Sequence, residues 1–253
     1  MTLYDPCTER LDNINESLSL IQLKKGLTFG TDSYLLAAFA RPKPNGTAIE
    51  IGSGTGVVSL LAVSGNKFRQ MHPVEIQPYF ASLTERNAAL NSLSDRITVH
   101  TGDIRDFTPD LFGGEADAVL SNPPYMRVSS GKDNAAAEMN TARREENGTI
   151  TDFCRSSAKL LKFGGYFTVV YRPDRMAELL TAMSNAGLEP KRLLLVYPTT
   201  EDKPCLLLAE GKKGASPGLV VSRPLLIYAD KASSVYTNDM QTVYDTFSLE
   251  HLF

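Results

Sequence analysis

Residues 47–51, Thr-Ala-Ile-Glu-Ile, form a compact apolar run that passes without a break into Gly52-Ser53-Gly54-Thr55-Gly56 and a second apolar run over residues 57–63. No other stretch constrains the fold as much. Strand, glycine loop and helix in that order begin a doubly wound α/β sheet, because the glycines let the chain turn tightly and let a ligand approach the backbone. The glycines fall as G-x-G-x-G. A dinucleotide fingerprint needs a small residue at position 57, which is Val57, and a phosphate-cradling loop needs Gly-Lys-Ser/Thr, which is absent. Glu50, two residues before the first glycine, would repel a pyrophosphate but receive a cationic or hydroxyl-bearing ligand.

S-adenosylmethionine has no phosphate, carries a sulfonium and an ammonium, and meets both conditions. The bland alternative is a loop that serves only a tight turn. A second strand is expected over residues 71–76, placing Glu75 about twenty residues beyond the loop, where an acid at a strand end grips ribose hydroxyls. Pro73 is awkward in an inner strand and predicts a bulge or a late strand start. A helix over 78–91 follows, with Pro78 in its first turn and Asn91 at its exit. A third strand over 96–100 leads to Gly102-Asp103-Ile104, where Asp103 either accepts from a cofactor's adenine amine or is an ordinary loop carboxylate.

The apolar run 116–120 is the fourth strand, and it ends in Ser121-Asn122-Pro123-Pro124-Tyr125. Two prolines cannot donate to a sheet ladder, and Pro123 biases Asn122 away from helix. The corner therefore offers a carboxamide, two carbonyls of fixed direction and an aromatic face, a set suited to a flat, hydrogen-bonding amine. The polar insertion over 127–148 has the length of a lid. A helix begins at Thr149 or Thr151 and is ended by Gly164-Gly165; a strand over 166–171, a helix over 174–186 closed by Gly187, and two antiparallel strands over 193–197 and 205–209 at the sheet edge complete the core. Upstream, the stretch from Leu18 to Asp32 reads as a short hairpin or meander, with Leu18, Leu20, Ile21 and Leu23 ahead of Lys24-Lys25-Gly26 and Leu27-Thr28-Phe29 after it, and Gly30-Thr31-Asp32 caps a helix over 33–40. Asp32 is either only the cap or a carboxylate aimed at a bound amino group.

The expected fold is a Rossmann-like α/β arrangement: a seven-stranded, mostly parallel sheet with one antiparallel strand and helices on both faces. It is one domain over residues 1–253, with a hairpin and helix (1–45), a cofactor-binding core (46–210) and a C-terminal extension (211–253). A net charge of −3 argues against a uniformly basic nucleic-acid binder and leaves local patches open. Three scattered cysteines fit a reducing compartment, and three isolated histidines give no metal spacing. No apolar run is long enough to span a bilayer, so a cytoplasmic protein is expected.

Gly26-Leu27-Thr28-Phe29-Gly30-Thr31-Asp32, Leu35-Leu36-Ala37-Ala38, the loop 50–56, Val74-Glu75-Ile76-Gln77, the Ser121 to Tyr125 corner and Val170-Tyr171-Arg172-Pro173-Asp174-Arg175 occur in one order. Together they resemble the bacterial tRNA adenine N6-methyltransferases that modify adenine 37 of a valine tRNA. The resemblance implies a class I methyltransferase with S-adenosylmethionine held by Thr31, Asp32, Glu50, Gly52, Gly54, Glu75, Asp103, Ile104 and Asn122. It implies transfer at Asn122, Pro123 and Tyr125, with the tRNA anticodon loop as partner; a monomer with no metal and no membrane partner is expected. Glu50 stands where Asp is commoner, and Arg143 and Glu145 match a family Arg-x-Glu piece to which the sequence gives no role. Asn-Pro-Pro-Tyr also occurs in enzymes that methylate glutamine, so a glutamine N5-methyltransferase acting on a protein is the alternative. A module that senses S-adenosylmethionine without transferring methyl is a third reading, which requires the corner to be occluded.

Overall fold

The structure, a computed structural model, describes residues 4–25, 29–123, 148–232 and 234–253. Its centre is one sheet built on β3 (Lys43–Ile51), with β4 (Phe68–Glu75) on one side and β6 (Ala116–Ser121) on the other, both parallel to it. Beyond β4 lies β5 (His100–Thr101). Beyond β6 lies β7 (Leu161–Tyr171), then the antiparallel β9 (Leu206–Lys213), then β8 (Leu188–Tyr197). These seven strands, with β9 alone reversed among them, are the expected sheet. Two further two-residue strands, β10 (Val220–Val221) and β11 (Leu225–Leu226), both pair with β8 and widen its outer edge.

Both faces of the sheet are buried, so alternation along a strand divides the apolar side chains between two layers. Ala48, Ala118, Leu120 and Val170 face α1 (Thr31–Phe39), α2 (Val57–Ser64) and the last helix, α6 (Asn238–Thr246). Ile49, Ile51, Val119 and Val169 face α4 (Ile150–Leu160) and α5 (Met176–Asn185). The helix α3 (Pro78–Leu90) lies between β4 and β5 in the chain and packs against β2 (Ser19–Leu23). Thr149 begins α4 with a capping box, its hydroxyl and the Asp152 carboxylate each bonded to the other's backbone amide.

Four expectations are corrected. The N-terminal hairpin pairs β2 (Ser19–Leu23) with β1 (Glu9–Asn13), upstream of the expected start at Leu18, and residues 26–28 of the expected second arm lie outside the described residues. Pro73 introduces neither a bulge nor a late start, since β4 begins at Phe68 and Pro73 lies in register with Glu50. Met71 N donates to the Arg96 carbonyl and the Met71 carbonyl accepts from Thr98 N, so by two-residue alternation Pro73 also turns toward β5. The N–H it lacks falls on that side, where β5 is only two residues long rather than the expected five. Finally, Gly164-Gly165 does not end α4. The helix stops at Leu160 and β7 starts at once, with the glycines inside an irregularity that shifts its register against β6 between Ala116 and Ala118.

Candidate active site

The site stands at the carboxyl ends of β3 and β6, where the strand order reverses, which is where open α/β sheets bind ligands. Ile51 and Ser121 are register partners, and the buried Ser121 hydroxyl donates to the Ile51 carbonyl at 2.9 Å. That bond locks the two strand ends together. The next residues are Gly52 on one strand and Asn122 on the other.

Gly52, Gly54 and Gly56 all have positive φ, at 74°, 54° and 79°. A Cβ at Gly52 or Gly54 would project into open space, whereas one at Gly56 would lie 2.5 Å from Thr84 Cγ2. The first two leave room beside the loop backbone; the third permits the close packing of α3. Gly52 N donates to the Val74 carbonyl at 2.9 Å and Gly56 N to Ser53 at 2.8 Å.

Two buried carboxylates serve this loop differently. Glu75 accepts from Gly54 N through Oε2 and from Gln77 N through Oε1, both at 2.9 Å. It thus ties the loop to the end of β4. Glu50 is 1% exposed and turns toward α2, where Oε2 accepts from Ser59 N at 2.9 Å and from the Ser59 hydroxyl. Burial pushes its carboxyl up to about 8 against the Ser59 bonds, with the nearby Glu75 charge acting in the same direction as burial.

Asn122 is partly exposed and Pro123 is buried. The Asn122 amide nitrogen donates to Asp32 Oδ2 at 3.0 Å and to Ser33 Oγ at 3.3 Å, both in the first turn of α1. Both contacts use Nδ2, and neither uses the acceptor oxygen. Thr31 opens α1, while Asp32 Oδ1 accepts from Ser33 N at 2.8 Å; Gly30, not Asp32, is the N-cap. The structure therefore brings Asp32, Asn122, Pro123, Gly52, Gly54 and Glu75 to one rim.

Asp103 lies beyond β5 at the same end of the sheet. It caps a short 3-10 turn over Ile104–Asp106 by accepting from Arg105 N at 2.9 Å, and it pairs with the Arg105 guanidinium, which holds its carboxyl below the usual range. Ile104 is buried. Tyr125, Arg143, Glu145 and residues 127–147 of the polar insertion lie outside the described residues.

Sequence reasoning missed Thr84 and Asn87 on α3. The Thr84 hydroxyl donates to the Gly54 carbonyl at 2.9 Å. Asn87, 0% exposed, accepts from Ile21 N at 2.6 Å and donates to the carbonyls of Ile21 and Thr55 at 3.0 and 2.9 Å. It joins the N-terminal hairpin to the glycine loop. The signal was present as Thr84, Asn87 and Asn91, polar side chains at helical spacing on the face that the helix should bury.

Among the described residues no group of three or more His, Cys, Asp or Glu could hold a metal ion, and no helix is long and apolar enough to cross a membrane.

Residues 24–185 match the model of the methyltransferase small domain family. The chain is 30% identical over 187 residues to the tRNA1(Val) (adenine(37)-N6)-methyltransferase of Porphyromonas gingivalis, covering 72% of each protein. Its fold is similar to that of a predicted O-methyltransferase from Agrobacterium tumefaciens, with a TM-score of 0.66 and 20% identity over 86% of this chain and 97% of the other. It is also similar to M. jannaschii TYW2 in complex with AdoMet, with a TM-score of 0.56 and 14% identity over 83% and 87%.

Proposed function

This chain belongs to the methyltransferase small domain family, and from that premise we propose that it transfers a methyl group from S-adenosylmethionine to the exocyclic N6 of adenine 37 in the anticodon loop of a tRNA, a valine tRNA by its relatives. The observation that carries the reading is the seat of Asn122 and Pro123 at the end of β6, one strand from an acid-flanked glycine loop.

The loop fits the cofactor. Gly52 and Gly54 keep open the space that a Cβ would fill, Glu75 stands at the end of β4, and the loop 52–56 contains no basic residue for a phosphate. When bound, S-adenosylmethionine supplies an electrophilic methyl group on a sulfonium. Glu75 would hold the ribose hydroxyls, Asp103 and Ile104 the adenine, and Thr31 and Asp32 the methionine end. Glu50 keeps the loop in place through Ser59 rather than reaching the ligand directly. AdoMet is also the ligand of the M. jannaschii relative that shares this fold.

The N6 of adenine is a poor nucleophile because its lone pair is delocalised into the ring. Asn122 Oδ1 and the Pro123 carbonyl would each accept one of its hydrogens, favouring a tetrahedral nitrogen whose lone pair points out of the ring plane. Alignment and electrostatics then provide the acceleration: the nitrogen would take the methyl as its bond to sulfur breaks to leave a neutral thioether, and N6 would give up its proton to water only afterwards, so no side chain has to remove a proton before transfer. Tyr125 would stack on the target base once it leaves the loop, an interaction worth roughly 1–3 kcal/mol. The enzyme would act as a monomer in the cytoplasm.

The test is incubation with methyl-labelled S-adenosylmethionine and total tRNA from cells lacking the gene, followed by nucleoside analysis. Label in N6-methyladenosine is the expected result. Label in protein glutamine, with none in nucleosides, would replace adenine by a protein substrate.

A further inference from the structure

We propose that Asp32 is a positioning residue that fixes which face of the Asn122 carboxamide meets the target amine. The inference rests on the methyl-transfer reading above and adds a role for the first turn of α1.

An asparagine carboxamide is nearly symmetric in shape. Rotating it by half a turn exchanges its acceptor oxygen with its donor nitrogen at little steric cost, so its environment must choose between the two. The choice matters here. An adenine N6 carries hydrogens, and an oxygen would hold them, whereas an amide nitrogen would oppose them with hydrogens of its own.

The structure supplies the choice from 90 positions away in the chain. Asn122 Nδ2 lies 3.0 Å from Asp32 Oδ2 and 3.3 Å from Ser33 Oγ. A carboxylate can only accept, so the atom facing Asp32 has to be the nitrogen. Ser33 cannot impose this alone, because a hydroxyl would donate to the oxygen of a flipped amide just as readily. Asp32 itself is held, since its Oδ1 accepts from Ser33 N at 2.8 Å. The helix that carries it is anchored by Leu35, Leu36 and Ala37, all 0% exposed. With both amide hydrogens engaged on α1, Oδ1 is left as the group that can meet a substrate amine.

This role differs from holding the cofactor's ammonium, and the two are separable by experiment. Asp32→Ala should lower the single-turnover rate of methyl transfer to tRNA about 100-fold, the scale of a misaligned reacting group. The rate is read at saturating S-adenosylmethionine, with the cofactor's dissociation constant measured separately by equilibrium dialysis, so that a lost ammonium contact is not counted as lost alignment. Asp32→Asn, which can still accept, should recover much of the rate, and Ser33→Ala should lose less than Asp32→Ala.

A second readout does not depend on activity. In protein labelled with 15N-asparagine, the Asn122 side-chain amide pair, assigned by its loss in Asn122→Ala, should be resolved and shifted by its carboxylate partner. It should move toward the free-amide position in Asp32→Ala. A wild-type Asn122 pair already at that position would overturn the inference. So would an Asp32→Ala enzyme with a wild-type single-turnover rate at saturating cofactor and weakened cofactor binding, which would make Asp32 a cofactor ligand only. If the wild type transfers no methyl group to tRNA, the functional reading fails, while the amide resonances still decide whether Asp32 orients Asn122.

Discussion

Asn122 uses its nitrogen to grip α1 through Asp32 and Ser33, and on the proposed function its oxygen meets the substrate amine, so removing the side chain should separate chemistry from binding. Asn122→Ala is expected to lower the single-turnover rate at least about 100-fold while tRNA affinity stays within about threefold, as befits a group used in the transition state. A filter-binding assay beside the rate measurement checks both halves. Glu50 makes a different prediction because its carboxyl is buried and pushed up to about 8. Its folded value lies above the usual value of 4.5, so the folded state holds a proton that the unfolded state loses first. Stability is therefore given up as pH rises between about 4.5 and 8. Glu50→Gln removes that titration, and its melting midpoint should gain on the wild type from pH 5 to pH 8; a constant difference across that range would contradict the burial argument. The sequence revealed Glu50 as an acid beside the loop but not its direction. Only the fold shows that Ser59, nine residues on, takes it inward.

The glycine loop and α3 are packed as one unit, and this sets the order of damage among the glycines. Gly56→Ala should destabilise more than Gly52→Ala, since both pay for positive φ but only the former drives a Cβ to 2.5 Å from Thr84 Cγ2. A left-handed non-glycine residue costs about 1–2 kcal/mol before any clash. Thr84→Ser, which removes the methyl and keeps the hydroxyl on Gly54, should recover part of the Gly56→Ala loss in urea unfolding. Asn87→Ala should cost about 2–4 kcal/mol, because it orphans buried backbone groups of the hairpin and the loop together. Elements with a strong apolar period, such as β3, α2 and β6, were legible in the sequence to within a few residues. The hairpin was not, since β1 reads Glu-Arg-Leu-Asp-Asn and buries a carboxylate rather than an apolar stripe. Glu9 is buried because Arg86 and Tyr79 on α3 bond to it, holding its carboxyl down to about 2. A partner 77 positions away leaves no local pattern.

Across the whole molecule, a mostly parallel sheet completed by an antiparallel pair followed from the alternation of apolar runs and glycine or proline breaks, whereas the insertion of β9 between β7 and β8, inside the sheet rather than at its edge, did not. What was not legible was cooperation between distant segments: α1 reaching Asn122, α3 reaching the loop, and β10 and β11 extending β8. Each depends on packing that brings residues together only after the sheet exists. The central claim is that this rim methylates a flat nucleobase amine. Its most direct test is site-resolved mass spectrometry of a valine tRNA transcript after reaction with S-adenosylmethionine and wild-type protein. The account predicts one added methyl group on N6 of adenine 37, absent with Asn122→Ala and absent when that adenine is replaced by guanine. Methylation of the guanine-substituted transcript, or of wild-type transcript by the Asn122→Ala protein at an undiminished rate, would contradict it.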